Sequence, residues 1–529
     1  MKAINKTWPE KILRVGRWFL VSLFFLYVIA FIEHSIGVVI FPWAVDYGEI
    51  PEVSRAWSLY HNETIYPSWE ALPLQVSNYP PVYAYINSVF IGSTGPTPFW
   101  GRFISVLATL GSAVVLGLLA YRITKLFSLG LLGGMLYLSG HMVWAWGSLV
   151  RVDSLAVFFQ VLALLFGYQY FSSKRRHFLW TAMVFCLLAG FTRQTMIATF
   201  LAFFCCLLLT DRKTAIQLLL GYTSVGLLGL FFLLWSTDFN AWNHLFVANM
   251  NEFGFEMIAI YFQPVWALYH WLIPCVLLGA WKIRQHKIIL FYSFFAICSS
   301  LLIGKVGSSV NYLLELWFAV CLTSVVSLHH LGRRKLHAEL ALLVLFIIGW
   351  QQIFHVPYKS KQIEKEIVMV DSKGFWMSLG EVQKHISLWK VNPVGSDPLK
   401  TYRNYFVSHP SERNFDLMAA TEDSLAAIQQ PIFSEDMNFT ISLGHEVMVQ
   451  PFEITQMARQ KVLKPSPWYE CLQNKCFGAL VLTFPLHNIP TKGALGWHIT
   501  PISLQLMREH YRPHKKIGGY WIYLPKQSQ

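Results

Sequence analysis

The residues with the clearest capacity for chemistry are two carboxylates three positions apart, in Asp46-Tyr47-Gly48-Glu49, directly after the first long apolar segment. Acids at the edge of an apolar segment are easily hydrated but awkward to pack. Such a pair points to general-base work on a hydroxyl or to holding a divalent cation. An architectural reading stands beside the chemical one, because Asp is a favoured helix N-cap and Glu49 occupies the place of a capping-box partner. No cofactor is fixed by these residues; a divalent ion at Asp46 and Glu49 is one option, since two carboxylates alone select no metal. The histidines show no spacing typical of a zinc site.

The scaffold that must carry this pair is a membrane. The chain of 529 residues is 54% hydrophobic, 16% aromatic and only 13% charged, with a mean hydropathy of +0.42. A soluble domain would be about a quarter charged. The net charge of +13 is spread in short basic clusters between apolar runs, which is how membrane orientation is encoded and argues against nucleic acid as a partner. About eleven apolar stretches of roughly 15 to 24 residues have the length needed to cross a bilayer as helices. They are Trp18–Phe41, Phe103–Tyr121, Ser128–Trp146, Leu155–Phe171, Phe178–Phe191, Met196–Leu209, Ala215–Trp235, Trp266–Trp281, Ile288–Leu302, Tyr312–Leu328 and Leu340–His355. The fifth and sixth are short enough to be one re-entrant unit or two tilted spans. The first is not read as a cleavable signal peptide, since it is long and no clear small-residue cleavage site precedes Asp46.

Orientation follows from the basic residues of alternate connections. One set holds Lys2, Lys6, Lys11, Arg14, Arg17, Arg122, Lys125 and the later clusters at 174–176, 212–213, 282–287 and 333–335, whereas the other, leaving out the C-terminal tail, holds only Arg55, Arg102, Arg151, Arg193 and Lys305. The positive-inside rule makes the first set cytoplasmic, so Asp46, Glu49, the long loop 42–100 and the C-terminal tail are expected outside. That loop carries Trp43, Trp57, Trp69 and the run Asn78-Tyr79-Pro80-Pro81, which reads as short amphipathic helices lying in the headgroup layer, one of them started by the prolines. Arg151, Arg193 and Lys305 each flank an apolar span, within reach of a lipid phosphate, and the planar fork of Arg suits phosphate oxygens. The plainer alternatives are that Arg151 pairs only with Asp153, or that all three snorkel to ordinary headgroups.

Several motifs together carry a family resemblance. They are Asp46-Tyr47-Gly48-Glu49, Tyr79-Pro80-Pro81, Arg151-Val152-Asp153, Arg193-Gln194 and Gly307-Ser308-Ser309-Val310-Asn311-Tyr312, on consecutive outer connections between Trp18 and Leu328. The chain resembles the GT-C glycosyltransferases, most nearly the bacterial members related to protein mannosyltransferases and lipid A aminoarabinose transferases. The resemblance implies a polytopic α-helical protein of the inner or plasma membrane. It would move a sugar from a polyprenyl-phosphate or polyprenyl-diphosphate carrier to a lipid, glycan or protein acceptor, inverting the anomeric centre. Displacement needs a base for the acceptor hydroxyl and cations for the leaving phosphate. Asp46 is the expected base, with Glu49 orienting the acceptor or sharing a metal, and Arg151, Arg193 and Lys305 are the expected phosphate ligands. Tyr47, Tyr79, Asp153, Gln194, Asn311 and Tyr312 complete the expected substrate site.

Residues 1–357 are thus read as the membrane domain and 358–529 as an outer α/β domain. In the tail, Ala479–Phe484 and Ile517–Leu524 alternate as strands, while Ser424–Gln430 and Ser503–Tyr511 read as helices. The domain has no Walker-type or dinucleotide-binding glycine pattern and is expected to shape acceptor access. Cys471 and Cys476 are its only cysteines, a plausible disulfide in an oxidising compartment. Glu33, His34 and Glu315 fall inside apolar spans, either as part of an acceptor or proton path or as satisfied contacts within the bundle. A transporter or lipid flippase is the main rival function, but no internal repeat is evident and the polar residues gather on one face. A non-catalytic scaffold would leave the acids and arginines unexplained.

Overall fold

Why the apolar runs become helices is a matter of solvent: without water, each backbone amide must be paired within its own segment. The computed structural model describes residues 8–269, 272–331, 410, 412–486 and 498–527. The membrane part contains α1 (Trp8–Ile40), α2 (Glu49–Tyr60), α3 (Val82–Ile91), α4 (Phe99–Thr124), α5 (Phe127–Leu138), α6 (His141–Trp146), α7 (Val152–Ser173), α8 (Arg176–Thr192), α9 (Ala198–Thr210), α10 (Arg212–Trp235), α11 (Asn240–Trp242), α12 (Phe255–Tyr269), α13 (Ile273–Ile283), α14 (Lys287–Ser300) and α15 (Leu314–Leu331). Six of the described helices are long and apolar enough to cross a membrane, and five shorter apolar ones accompany them. The protein is therefore a polytopic helical membrane protein. In the bundle, α7 packs on α8 and α4, α4 on α5, α9 on α14, and α13 on α15.

Two expectations change here and one open alternative is decided. The stretch Ser128–Trp146 is two helices, because Gly140 is extended where the Trp317 indole packs against it. Trp266–Trp281 spans the end of α12 and the start of α13, with Pro274 opening the second helix. The pair at 178–209 forms two separate helices, α8 and α9. The expected span Leu340–His355 lies outside the described residues.

The loop 42–100 also departs from its expected place. Helix α3 does open directly after Pro80-Pro81. Helix α2, however, is not a surface helix, since every residue from Glu49 to Ala56 is buried. Helix α3, the start of α7 and the C-terminal α/β region, which also sits on the loop, explain this burial. That region comprises α16 (Glu412–Leu425), β1 (Ile432–Ser434), α17 (Asn438–Ser442), α18 (Pro451–Arg459), α19 (Ser466–Gln473), β2 (Ala479–Leu482), α20 (Pro501–His510), β3 (Tyr511–Ile517) and β4 (Tyr520–Pro525). The sheet order is β1-β2-β4-β3, with β1 and β2 parallel and the other pairs antiparallel.

The expected single strand Ile517–Leu524 is the hairpin β3–β4, turned at Gly518-Gly519, a two-residue glycine loop that suits a tight β-turn. The helix expected at Ser424–Gln430 is the last residues of α16 followed by a turn. Pro431 disfavours helix in the residue before it and leads into β1. Cys471 and Cys476 are joined, their Cα atoms 5.2 Å apart.

Backbone bonds tie this roof to the loop. The amide of Leu74 donates to the Met448 carbonyl at 2.7 Å, and Gln450 returns a bond to Leu74 at 3.2 Å. Ala44 donates to Asn438 Oδ1 at 2.7 Å, and the Trp43 indole donates to Glu422 at 3.0 Å.

Candidate functional site

After α1 ends, the chain turns so that Gly48 donates to Asp46 Oδ2 at 3.1 Å and Glu49 donates to the Asp46 carbonyl at 3.1 Å, starting α2. This turn sends the two acids to different neighbours. Glu49 Oε1 accepts from Arg102 Nε and from the Val150 amide, both at 2.8 Å, while Oε2 accepts from Arg102 Nη2 at 2.7 Å and the Val45 amide at 2.8 Å. The remaining donors of Arg102 reach the carbonyls of Val38, Phe41 and Trp43. Both side chains are fully buried. Burial alone would raise the Glu49 carboxyl, but the Arg102 guanidinium and the hydrogen bonds hold it below its ordinary range. The expected role of Glu49 beside an acceptor gives way to a structural one, because its lone pairs are spent on fastening α1, α4 and the start of α7.

Asp46 instead meets Arg151, with Arg151 Nη2 2.9 Å from Asp46 Oδ2. The arginine reaches it across Gly48, where a Cβ would stand 1.8 Å from Arg151 Nη1. A side chain at this position would push the guanidinium off this line. Arg151 also lies over the Trp146 ring, 5.1 Å from its centre.

The suggested Arg151–Asp153 pair is therefore not formed. Asp153 takes Arg193 on Oδ1 together with the Asn311 amide at 2.9 Å, and its Oδ2 accepts from the Trp146 indole at 2.9 Å. Arg193 in turn stacks over Tyr312, 4.0 Å from the ring centre. One buried carboxylate thus gathers motifs that lie far apart in sequence. Gly307, with φ of +87°, shapes the turn that brings Asn311 there.

A cavity of about 900 Å³, counted to its open mouth, lies at this junction. Eight of the expected site residues line it: Tyr47, Tyr79, Arg151, Arg193, Gln194, Lys305, Asn311 and Tyr312. Asp46, Glu49 and Asp153 stand behind the lining, Asp46 at its edge through Arg151. Several polar atoms around the cavity are buried with no hydrogen-bond partner, among them Arg151 Nε, Arg193 Nε and Nη2, and Gln194 Oε1. Lys305 Nζ donates to Asn249 Oδ1 at 3.0 Å and has no carboxylate within ion-pair distance among the described residues. Burial, then the charge of Arg193, lowers the Lys305 ammonium to about 8.

A metal shared by Asp46 and Glu49 does not fit this donor set, because each acid is engaged by its own arginine and they face different neighbours. Among the described residues no group of three or more His, Cys, Asp or Glu surrounds a common point. Inside the bundle, Glu315 accepts from Gln160 at 2.6 Å and His34 packs on Trp144, contacts that join neighbouring helices.

The sequence reading missed Asn249, Glu52, Arg55, Phe452 and Glu453, all in the cavity wall. Glu52 and Arg55 pair with each other, and their i, i+3 spacing on α2 was the available signal. Phe452 and Glu453 come from the C-terminal α/β region, some 400 residues from Asp46, and carry no local signal.

No family model and no curated protein matches the chain. Its fold is similar to that of solved membrane proteins. The structure of ArnT from Cupriavidus metallidurans bound to undecaprenyl phosphate superposes with a TM-score of 0.59, at 14% identity, over 95% of this chain and 98% of that one. The apo state of the same protein gives 0.58 at 12% identity, over 94% and 97%. The archaeal oligosaccharyltransferase AglB from Archaeoglobus fulgidus, in complex with an inhibitory peptide and a dolichol-phosphate, overlaps more loosely, with a TM-score of 0.47 at 11% identity over 90% and 70%.

Proposed function

We propose that this chain, a membrane protein with the GT-C fold, is a glycosyltransferase that moves a sugar from a polyprenyl-phosphate carrier to an acceptor at the outer membrane surface. The observation that carries the reading is the cationic wall of the cavity. Arg151, Arg193 and Lys305 converge there with buried N–H groups that lack partners, and Lys305 lacks a counter-ion among the described residues. Buried donors without acceptors are unfavourable, so such a wall asks for an anion with several oxygens. The fold is shared with ArnT, whose structure holds undecaprenyl phosphate.

In this mechanism Asp46 takes the proton of the acceptor hydroxyl as its oxygen attacks the anomeric carbon. The bond from that carbon to the carrier phosphate breaks, and the electron pair leaves with the phosphate. Attack from the opposite side inverts the centre. The three cations stabilise the charge that develops on the leaving phosphate. Asp153 keeps Arg193 and Asn311 in place, and Glu49 with Arg102 fixes the turn that presents Asp46.

The decisive experiment is transfer of radiolabelled sugar from a panel of polyprenyl-phosphate-linked donors to envelope extract by the purified protein. Label in the acceptor fraction supports the reading; none from any donor, with folded protein, refutes it. Orientation is tested separately. A cysteine placed at exposed Glu63 is expected to react with a membrane-impermeant thiol reagent in intact cells, and one at Arg175 is expected not to react. Equal labelling would reverse the outward placement of the site.

A further inference from the structure

The cavity has a second wall that the motifs do not supply. Glu453, at the first turn of α18, lines it beside Phe452 and is delivered wholly by the outer region. The tie to the membrane part is Tyr47, whose hydroxyl donates to Glu453 Oε2 at 3.0 Å and accepts from the Phe452 amide at 3.0 Å. Tyr47 is itself clamped, its ring packing edge-on against His498 at 4.9 Å and Phe452 at 6.3 Å between centres. His498 is held by Glu435, with Nδ1 2.7 Å from Oε1. Glu453 is therefore placed by a rigid set of contacts, as a substrate-binding group must be.

Its charge is not spoken for. Among the described residues no basic group lies within ion-pair distance of Glu453, whereas the other carboxylate of the wall, Glu52, is paired with Arg55. Burial pushes the Glu453 carboxyl above its ordinary range, opposed in part by its hydrogen bonds and then by Arg55 and His498, while Lys305 feels Arg193. Within the lining, Glu453 thus stands at Tyr47, next to the Asp46–Arg151 pair, whereas Lys305 stands at Asn249 in the field of Arg193. In an inverting displacement the acceptor oxygen must come from the side opposite the leaving phosphate.

We infer that Glu453 is the acceptor-side carboxylate of this site, taking a hydrogen bond from a hydroxyl of the acceptor near the attacked position. The inference rests on the glycosyltransferase reading and gives it a specificity. The attacked end of the acceptor carries hydroxyl donors and no anionic group, because an anion there would face a carboxylate that has no ion-pair partner among the described residues. Glu453 takes the orienting role that the sequence assigned to Glu49.

The test uses the full-length protein, the same radiolabel assay, titrated envelope extract and undecaprenyl phosphate as a binding probe. Glu453→Gln keeps size and removes charge. It is expected to raise the apparent acceptor KM by about tenfold or more, the size of a hydrogen bond to a charged group, with undecaprenyl phosphate affinity and donor KM changed less than about twofold. Tyr47→Phe, which frees the carboxylate without removing it, is expected to raise the same acceptor KM by a smaller factor. Unchanged acceptor KM in both variants overturns the inference. A shift in donor KM instead moves Glu453 to the transferred sugar and equally overturns it. Absence of transfer by the unmodified protein removes the glycosyltransferase reading and this inference with it, whereas transfer with Glu453→Gln unaffected removes the inference alone.

Discussion

Asp46 and Glu49 are three residues apart and each faces an arginine, yet the two pairs are built for different purposes. Glu49 and Arg102 are both 0% exposed and nearly all their polar atoms are spent on each other or on the backbone. Arg151, facing Asp46, is 16% exposed, lines the cavity and keeps a buried Nε without a partner. A saturated buried pair is a strut, since removing either partner strands a charge. An unsaturated pair at a cavity wall is able to exchange one partner for a ligand.

Breaking the strut is expected to have the largest effect. Glu49→Gln leaves Arg102 buried without its counter-charge and is expected to lower stability by about 3 to 5 kcal/mol. Thermal unfolding in detergent reads this as a clear fall in Tm, with activity lost only as folded protein is lost. If Glu49→Gln stayed as stable as the parent but did not turn over, the strut would be a catalytic group after all. Asp46→Asn is expected to do the opposite, lowering transfer by about 10²- to 10⁴-fold, the span of general-base catalysis, while Tm and undecaprenyl phosphate binding hold. Substantial turnover by this variant removes Asp46 from the base role.

The arginines sharpen the contrast from the other side. Arg193→Gln and Arg151→Gln are each expected to weaken undecaprenyl phosphate binding by about 1.5 to 3 kcal/mol, roughly ten- to more than a hundredfold, with Lys restoring only part because it lacks the fork. Unchanged affinity in both Gln variants would return them to snorkelling. The smallest effect concerns pH. Lys305 is held near 8, first by burial and then by Arg193, and an anion favours its charged form. Affinity from Lys305 is therefore present below about pH 8 and falls as pH rises through it, by at most tenfold per unit. Titrating undecaprenyl phosphate affinity from pH 7 to 9 checks this; Lys305→Gln is expected to be weaker at pH 7 and flat over the same range, and an equal slope in that variant assigns the titration elsewhere.

Much of the framework was open to inspection in the chain alone. The connections that carried the scarce basic residues also carried the motifs, and Arg151, Arg193, Asn311 and Tyr312 do meet at one cavity. What failed was pairing. Nothing local distinguishes Asp46 from Glu49, and the plausible neighbour pair Arg151–Asp153 loses to partners reached through the fold. On a helix start, residues two apart point in different directions, so sequence nearness is a poor guide to contact. Fully buried Arg102 looked like any other outer cation, and its role became visible only with its five acceptor atoms around it.

The sequence by itself determined the solvent of each segment, because apolar length and the placement of basic clusters act over a single helix or loop. It also determined the residue types at the cavity and the glycine that lets Arg151 through. Tertiary structure alone decided which acid is closed off with Arg102 and which pairs with an arginine of the cavity wall, that Asp153 gathers Arg193 and Asn311, and that the C-terminal α/β region adds Glu453 to the wall. The physical reason is range. Hydrophobic patterning is read over about 20 residues, whereas a hydrogen bond or ion pair requires atoms within about 3 to 4 Å, and only the folded chain brings Tyr47 and Glu453 that close.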